Sequence, residues 1–267
     1  MSSLLKGKRG ILTGVVNEYS YATHILKSLQ REGAEVGLSY LPVPAVERRV
    51  KKVAEEQGVK FLTPMDAASD ESIQKGFEAV KAEFGTIDFF IHCIAFANSE
   101  DLTGRFINTS RKGFELALGI SAYSLIPVAR EAATLMKRGG SIITLSYLGG
   151  EKVIPNYNVM GVAKAALECA VRYLAFDLGK EQIRVNAISA GPQKTLAASV
   201  VGDIDLMLDF SAKQSPLKRN VEGREVGDTA VYLVSDLASG VTGETLHCDC
   251  GYFVMGAPSV QATHTPT

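Results

Sequence analysis

Tyr157 and Lys164 stand seven residues apart in "IPNYNVMGVAK", an otherwise apolar stretch. Seven residues are two turns of an α-helix, so the two side chains would share one face. A phenol O–H can meet an oxygen as it gains negative charge, and a nearby ammonium favours the anion. Taken alone, a tyrosine and a lysine on a helix are ordinary. The segments around them decide whether the pair does chemistry.

In open parallel sheets, ligands bind beyond the carboxyl ends of the strands, so the residues that follow each strand-like run are the informative ones. "TGVVNEYSYA" follows the first run. It keeps only Gly14 of a G-x-G-x-x-G phosphate turn, while Ser20 and Tyr21 open the next helix, where a second phosphate contact would fall. After the second run stands Leu41, where a dinucleotide site normally has Asp or Glu for the ribose. Asp66 and Ala67 follow the third; the aspartate is either an adenine contact or a turn residue. "HCIAFA" after the fourth is small and apolar, and suits a flat cofactor. Tyr147 ends the fifth, and Gly191-Pro192 with Thr195 follows the sixth.

Strand-like and helix-like segments alternate throughout. Helices are expected at Ser20 to Glu32, Pro44 to about Gln57, after Ser69, Thr109 to Met136, through the Tyr157–Lys164 segment to Gly179, and Val221 to Ser235. "IDFFIHCIAFA" is apolar throughout, as a strand covered on both faces must be. Such alternation predicts one α/β domain over 1–255, a Rossmann-like, doubly wound parallel sheet. Around Val200 to Arg219 the pattern turns helix-like but interrupted. It reads as a helical substrate-binding flap at about 196–219, and 256–267 reads as a mobile tail.

Composition narrows the function. Net charge is -1, from 28 basic and 29 acidic residues, so a nucleic-acid or anionic-membrane surface is not expected. The apolar runs are too short to span a bilayer, and the N-terminus lacks a signal-peptide layout, so the expected location is cytoplasmic. Four cysteines are present, and Cys248 and Cys250 lack a second ligand pair, so no metal is expected.

The whole chain, from "GKRGILTGV" to "GETLHCDCGY", resembles the short-chain dehydrogenase/reductase superfamily. Within it, "TLSYLGGEKVIPNYNVMGVAKAALE" and "IRVNAISAGPQKTLAAS" resemble bacterial enoyl-[acyl-carrier-protein] reductases. Common reductases of the superfamily use Tyr-x₃-Lys, and Met160 stands where that tyrosine would be; Tyr-x₆-Lys is the enoyl-reductase spacing. The resemblance implies a homotetramer that reduces trans-2-enoyl chains on acyl carrier protein, with NADH as cofactor and NADPH possible. It assigns Tyr147, Tyr157 and Lys164 to catalysis, and Ala97, Tyr147 and Tyr157 to the substrate. Cofactor contacts would come from Gly14, Ser20, Tyr21, Leu41, Asp66, Ala67, Cys93, Ile94, Ala95, Lys164, Gln193, Lys194, Thr195, Leu196 and Ala197. Tyr21, Leu41, Cys93, Gln193 and Cys250 depart from the residues most often found in the family. A carbonyl reductase of the same superfamily and a non-catalytic dinucleotide-binding regulator are the alternatives.

Overall fold

The structure, a computed structural model, describes residues 3–194 and 204–257. Its first half comprises β1 (Arg9–Thr13), α1 (Tyr21–Arg31), β2 (Glu35–Tyr40), α2 (Pro44–Glu56), β3 (Leu62–Pro64), α3 (Asp70–Phe84), β4 (Phe89–His92) and a short α4 (Ser99–Leu102). There follow α5 (Arg111–Leu118), α6 (Leu125–Leu135), β5 (Gly140–Ser146), α7 (Asn158–Gly179), β6 (Ile183–Ala190), α8 (Ile204–Gln214), α9 (Gly223–Val234) and β7 (Thr245–Cys248). The sheet has seven strands in the order β3-β2-β1-β4-β5-β6-β7, every pair parallel. The order reverses between β1 and β4, the crevice where doubly wound sheets bind ligands.

Successive strand residues face opposite sides, and each side has its own core. Leu12, Phe89, Ile91 and Ile143 pack with α1 and α9, while Ile11, Phe90 and Ile142 pack with α3, α6 and α7. Phe89, Phe90 and Ile91 are all fully buried, as the unbroken apolar run requires. Burying each such side chain contributes about 1.5–3 kcal/mol. The strand ends beside the site therefore stand on a rigid base.

One helical expectation needs correction. Thr109 to Met136 is not one helix: α5 runs into a π-helical turn at Gly119–Tyr123, and α6 starts afresh at Leu125. Pro127 has no N–H for an uninterrupted ladder and falls in the first turn of α6, where that donor is not needed. The π turn also aims Ser124 at the sheet, where its Oγ lies 2.8 Å from Nε2 of the buried His92. Over Val200 to Arg219, the described part is an eleven-residue helix, α8 (Ile204–Gln214), followed by turns to Arg219. Its exposed Lys213–Asp209 pair, 2.7 Å apart, is an i,i+4 helix contact that the apolar pattern did not show. Residues 196–203 of the expected flap and 258–267 of the expected tail lie outside the described residues.

Candidate active site

The tyrosine–lysine segment is shaped by its asparagines. Asn156 and Asn158 take φ of 62° and 40°, conformations that asparagine tolerates better than most residues. Between them Tyr157 sits at the N-cap of α7, and its carbonyl accepts from Met160 N at 2.9 Å. Tyr147 leaves β5 extended, and its ring meets that of Tyr157 edge-on, centroids 5.0 Å apart at 72°. Gly149 makes this approach possible, because a Cβ there would strike the Tyr157 ring. Further along α7, Lys164 is 5% exposed and donates to the Leu145 carbonyl at 2.6 Å.

Burial sets the protonation states. It lowers Lys164 to about 8, with Cys93 and Glu168 acting the other way. Burial raises Tyr147 to about 12, helped by Tyr252 and Asp249. It also raises Tyr157, helped by Tyr147 and Glu168. Both phenols are thus neutral donors at neutral pH. Behind them His92 is lowered to about 3 by burial and by Lys164, so its ring stays uncharged between Thr144 and Ser124.

Tyr147, Tyr157 and Lys164 border a cavity of about 340 Å³ with largely apolar walls. Of the expected site residues, Tyr21, Cys93, Ile94, Ala95, Ala97, Tyr147, Tyr157, Lys164 and Gln193 come together on it. Burial pushes the Cys93 thiol up to about 12, so it is a small neutral wall group. Tyr21 Oη donates to the Gly191 carbonyl at 2.8 Å, tying the start of α1 to the turn after β6. Gln193 Nε2 donates to Tyr19 O at 3.3 Å. Its Oε1 is buried without a partner among the described residues.

Gly14, Ser20, Leu41, Asp66, Ala67 and Lys194 do not line this cavity. Gly14, Leu41 and Asp66 follow β1, β2 and β3, so they continue the same carboxyl edge of the sheet. Ser20 caps α1, accepting from Thr23 N at 3.3 Å. Asp66 forms a turn, its Oδ1 accepting from Ala68 N at 2.9 Å. Leu41 is exposed, and Lys194 pairs with Asp205 at 2.7 Å. Thr195, Leu196 and Ala197 lie outside the described residues.

The structure adds groups that the sequence reading passed over. Ser121, delivered by the π turn, accepts from Phe96 N at 2.9 Å and donates to Phe96 O at 3.0 Å, holding the loop after β4. No local pattern announces it. Ile204 and Met207 of α8 close one wall. Buried Glu168 accepts from Ser146 Oγ. Its place four residues after Lys164 was a signal available in the sequence.

Gly14 tests whether a dinucleotide fits. Its φ is +81°, and a Cβ would collide with the Cys93 carbonyl, so the first turn lies directly against the end of β4. Beyond it α1 begins at Tyr21, and a helix N-terminus favours a bound anion. A doubly wound sheet with this edge and a tyrosine–lysine pair is a dinucleotide-dependent reductase of the short-chain dehydrogenase/reductase class.

Within that class the assignment is narrower. The profile of the family described as Enoyl-(Acyl carrier protein) reductase matches residues 14–253, and the chain belongs to that family. It is 53% identical to the enoyl-[acyl-carrier-protein] reductase [NADH] FabI of Rickettsia bellii, over 97% of this chain and 98% of the relative. The corresponding Bacillus cereus protein is 52% identical, over 95% and 99%. The structure superposes with TM-score 0.93 on the Anaplasma phagocytophilum enoyl-(acyl-carrier-protein) reductase in complex with NAD, at 49% identity over 97% of this chain and 99% of that one. It superposes equally, TM-score 0.93 at 51% identity over 96% and 100%, on the Bacillus cereus reductase with NADP+ and an indole naphthyridinone.

Proposed function

We propose that this protein reduces the trans-2 double bond of enoyl chains held on acyl carrier protein, with NADH as cofactor, in type II fatty-acid synthesis. The supporting observation is Tyr157 and Lys164 on one cavity, with buried Met160 where a carbonyl reductase would carry its tyrosine. NADH supplies a hydride when bound. The backbone around Gly14, Ser20-Tyr21, Asp66-Ala67 and Ile94 would hold it, together with Lys164 on the nicotinamide ribose and the Gln193 to Ala197 segment. As the β-carbon of the enoyl thioester is reduced, negative charge gathers on the thioester oxygen. Tyr157, neutral and buried, donates to that oxygen where the charge develops. Tyr147 packs on Tyr157 and holds its ring, Ala97 touches the chain, and the apolar walls exclude water.

A spectrophotometric assay tests this: NADH is consumed with a crotonyl thioester and not with an acetoacetyl thioester. Turnover of the acetoacetyl thioester alone would refute it. We infer a cytoplasmic homotetramer as well. Tyr173 and Phe176, 71% and 85% exposed on α7, support burial against other copies. The four unpaired cysteines accord with a reducing compartment. Among the described residues, no helix is long and apolar enough to cross a membrane.

A further inference from the structure

Phe96 and Ala97 follow β4 outside any helix or strand, yet both line the cavity that Tyr157 borders. Residues without a ladder must find other partners for their backbone N–H and C=O. Among the described residues, both groups of Phe96 go to one hydroxyl, that of Ser121, at 2.9 Å and 3.0 Å. Ser121 is fully buried. A hydroxyl has a single proton, and two acceptors share this one: the Phe96 carbonyl and Met160 Sδ, 3.7 Å away. Met160 stands on α7 and lines the same cavity, and Ala97 packs against the cluster that holds Met160 and Leu102. One side chain thus bridges two walls, from the loop after β4 to α7.

The π turn makes Ser121 a fixed post. Ser124 N donates to Gly119 O, five residues back, at 3.1 Å, the hydrogen bond that defines such a turn. Its far end is pinned to β4, where Ser124 Oγ lies 2.8 Å from Nε2 of buried His92. Given the proposed reductase activity, on which this rests, we propose that Ser121 is a specificity-determining positioning residue. It fixes the spacing between the Phe96–Ala97 loop and Met160, and so the width of the slot that receives the enoyl chain. Ser121 does not itself border the cavity; it acts through Phe96 and Met160. A short chain depends on close walls for nearly all of its contact. Each added methylene of a longer chain buries further apolar surface and compensates for a looser slot. Close walls therefore favour crotonyl, and loosened walls shift selectivity towards longer chains.

Ser121→Ala removes the hydroxyl, deprives both Phe96 groups of that partner and frees the loop. The test combines steady-state rates with crotonyl and octenoyl thioesters, NADH titration by fluorescence, and thermal unfolding. Expected are a crotonyl KM higher by about tenfold, kcat within about threefold and NADH affinity within about twofold of wild type. The ratio of octenoyl to crotonyl kcat/KM should rise by about fivefold. Ser121→Cys, a weaker donor and acceptor, should fall between the two. A lower melting temperature with that ratio unchanged would make Ser121 structural alone and overturn the proposal. If Ser121→Ala does not fold, a wild-type ratio in Ser121→Cys overturns it instead. Wild-type protein that reduces neither thioester would refute the reductase reading, and with it the role of Ser121. Intact wild-type turnover confines any failure to Ser121.

Discussion

In the proposed reaction Tyr157 owes its usefulness as a donor to burial, because the surroundings that exclude water also keep its phenol protonated. Tyr157→Phe retains the ring packed on Tyr147 and removes the hydroxyl. Loss of such a donor costs on the order of 10²-fold in kcat, or about 2.7 kcal/mol, while NADH binding followed by fluorescence should stay unchanged. Lys164 differs in kind. Its ordinary value of 10.5 is lowered to about 8, so it sheds its charge as the pH climbs through that value. The expected kcat/KM for crotonyl thioester is therefore level below pH 8 and falls above it, one proton being lost. Lys164→Met should abolish that limb and weaken NADH binding together with turnover. A profile unchanged by the substitution would remove Lys164 from the reaction.

At the level of elements, the site is a meeting of ends. Tyr147 ends β5, Tyr157 opens α7, Cys93 to Ala97 follow β4, and Gln193 follows β6. Gly14 is the tightest point, and Gly14→Ala forces both a strained φ and a clash with backbone. It should lower the melting temperature and raise the KM for NADH, measured by thermal unfolding and steady-state rates. The α8 helix brings Ile204 and Met207 to the cavity, yet only Ser211 of its residues is buried. So thinly anchored an element fits a lid that closes over ligands. Its amides should exchange more slowly once NADH and a substrate analogue are present together. Slow exchange in the free protein, unaltered by ligands, would identify α8 as fixed wall.

For the whole molecule, cofactor preference follows from what borders the second strand. Leu41 and Pro42 offer no cation to a 2′-phosphate, and exposed Arg48 and Arg49 lie further along α2. NADH should show the higher kcat/KM in paired assays, and a higher value for NADPH would show that those arginines reach back. The fold class could be read directly from the sequence, because strand and helix periods differ and the apolar run at Phe89 to Ile91 fits only a strand covered on both faces. Tyr157 and Lys164 were legible as a pair from their spacing, although Tyr157 caps α7 rather than lying within it. Local patterns also marked Gly14, Tyr147 and the apolar loop after β4 as strand-end residues. What they could not express was convergence. The π turn that sends Ser121 to Phe96 and Ser124 to His92 depends on contacts across the sheet. Tyr21 bonds to Gly191 across 170 positions of chain, and His247 reaches Glu151 across 96. The lowering of Lys164 needs the neighbours that bury it. Period and spacing are properties of neighbours in the chain, whereas desolvation and distant hydrogen bonds exist only once the chain has folded.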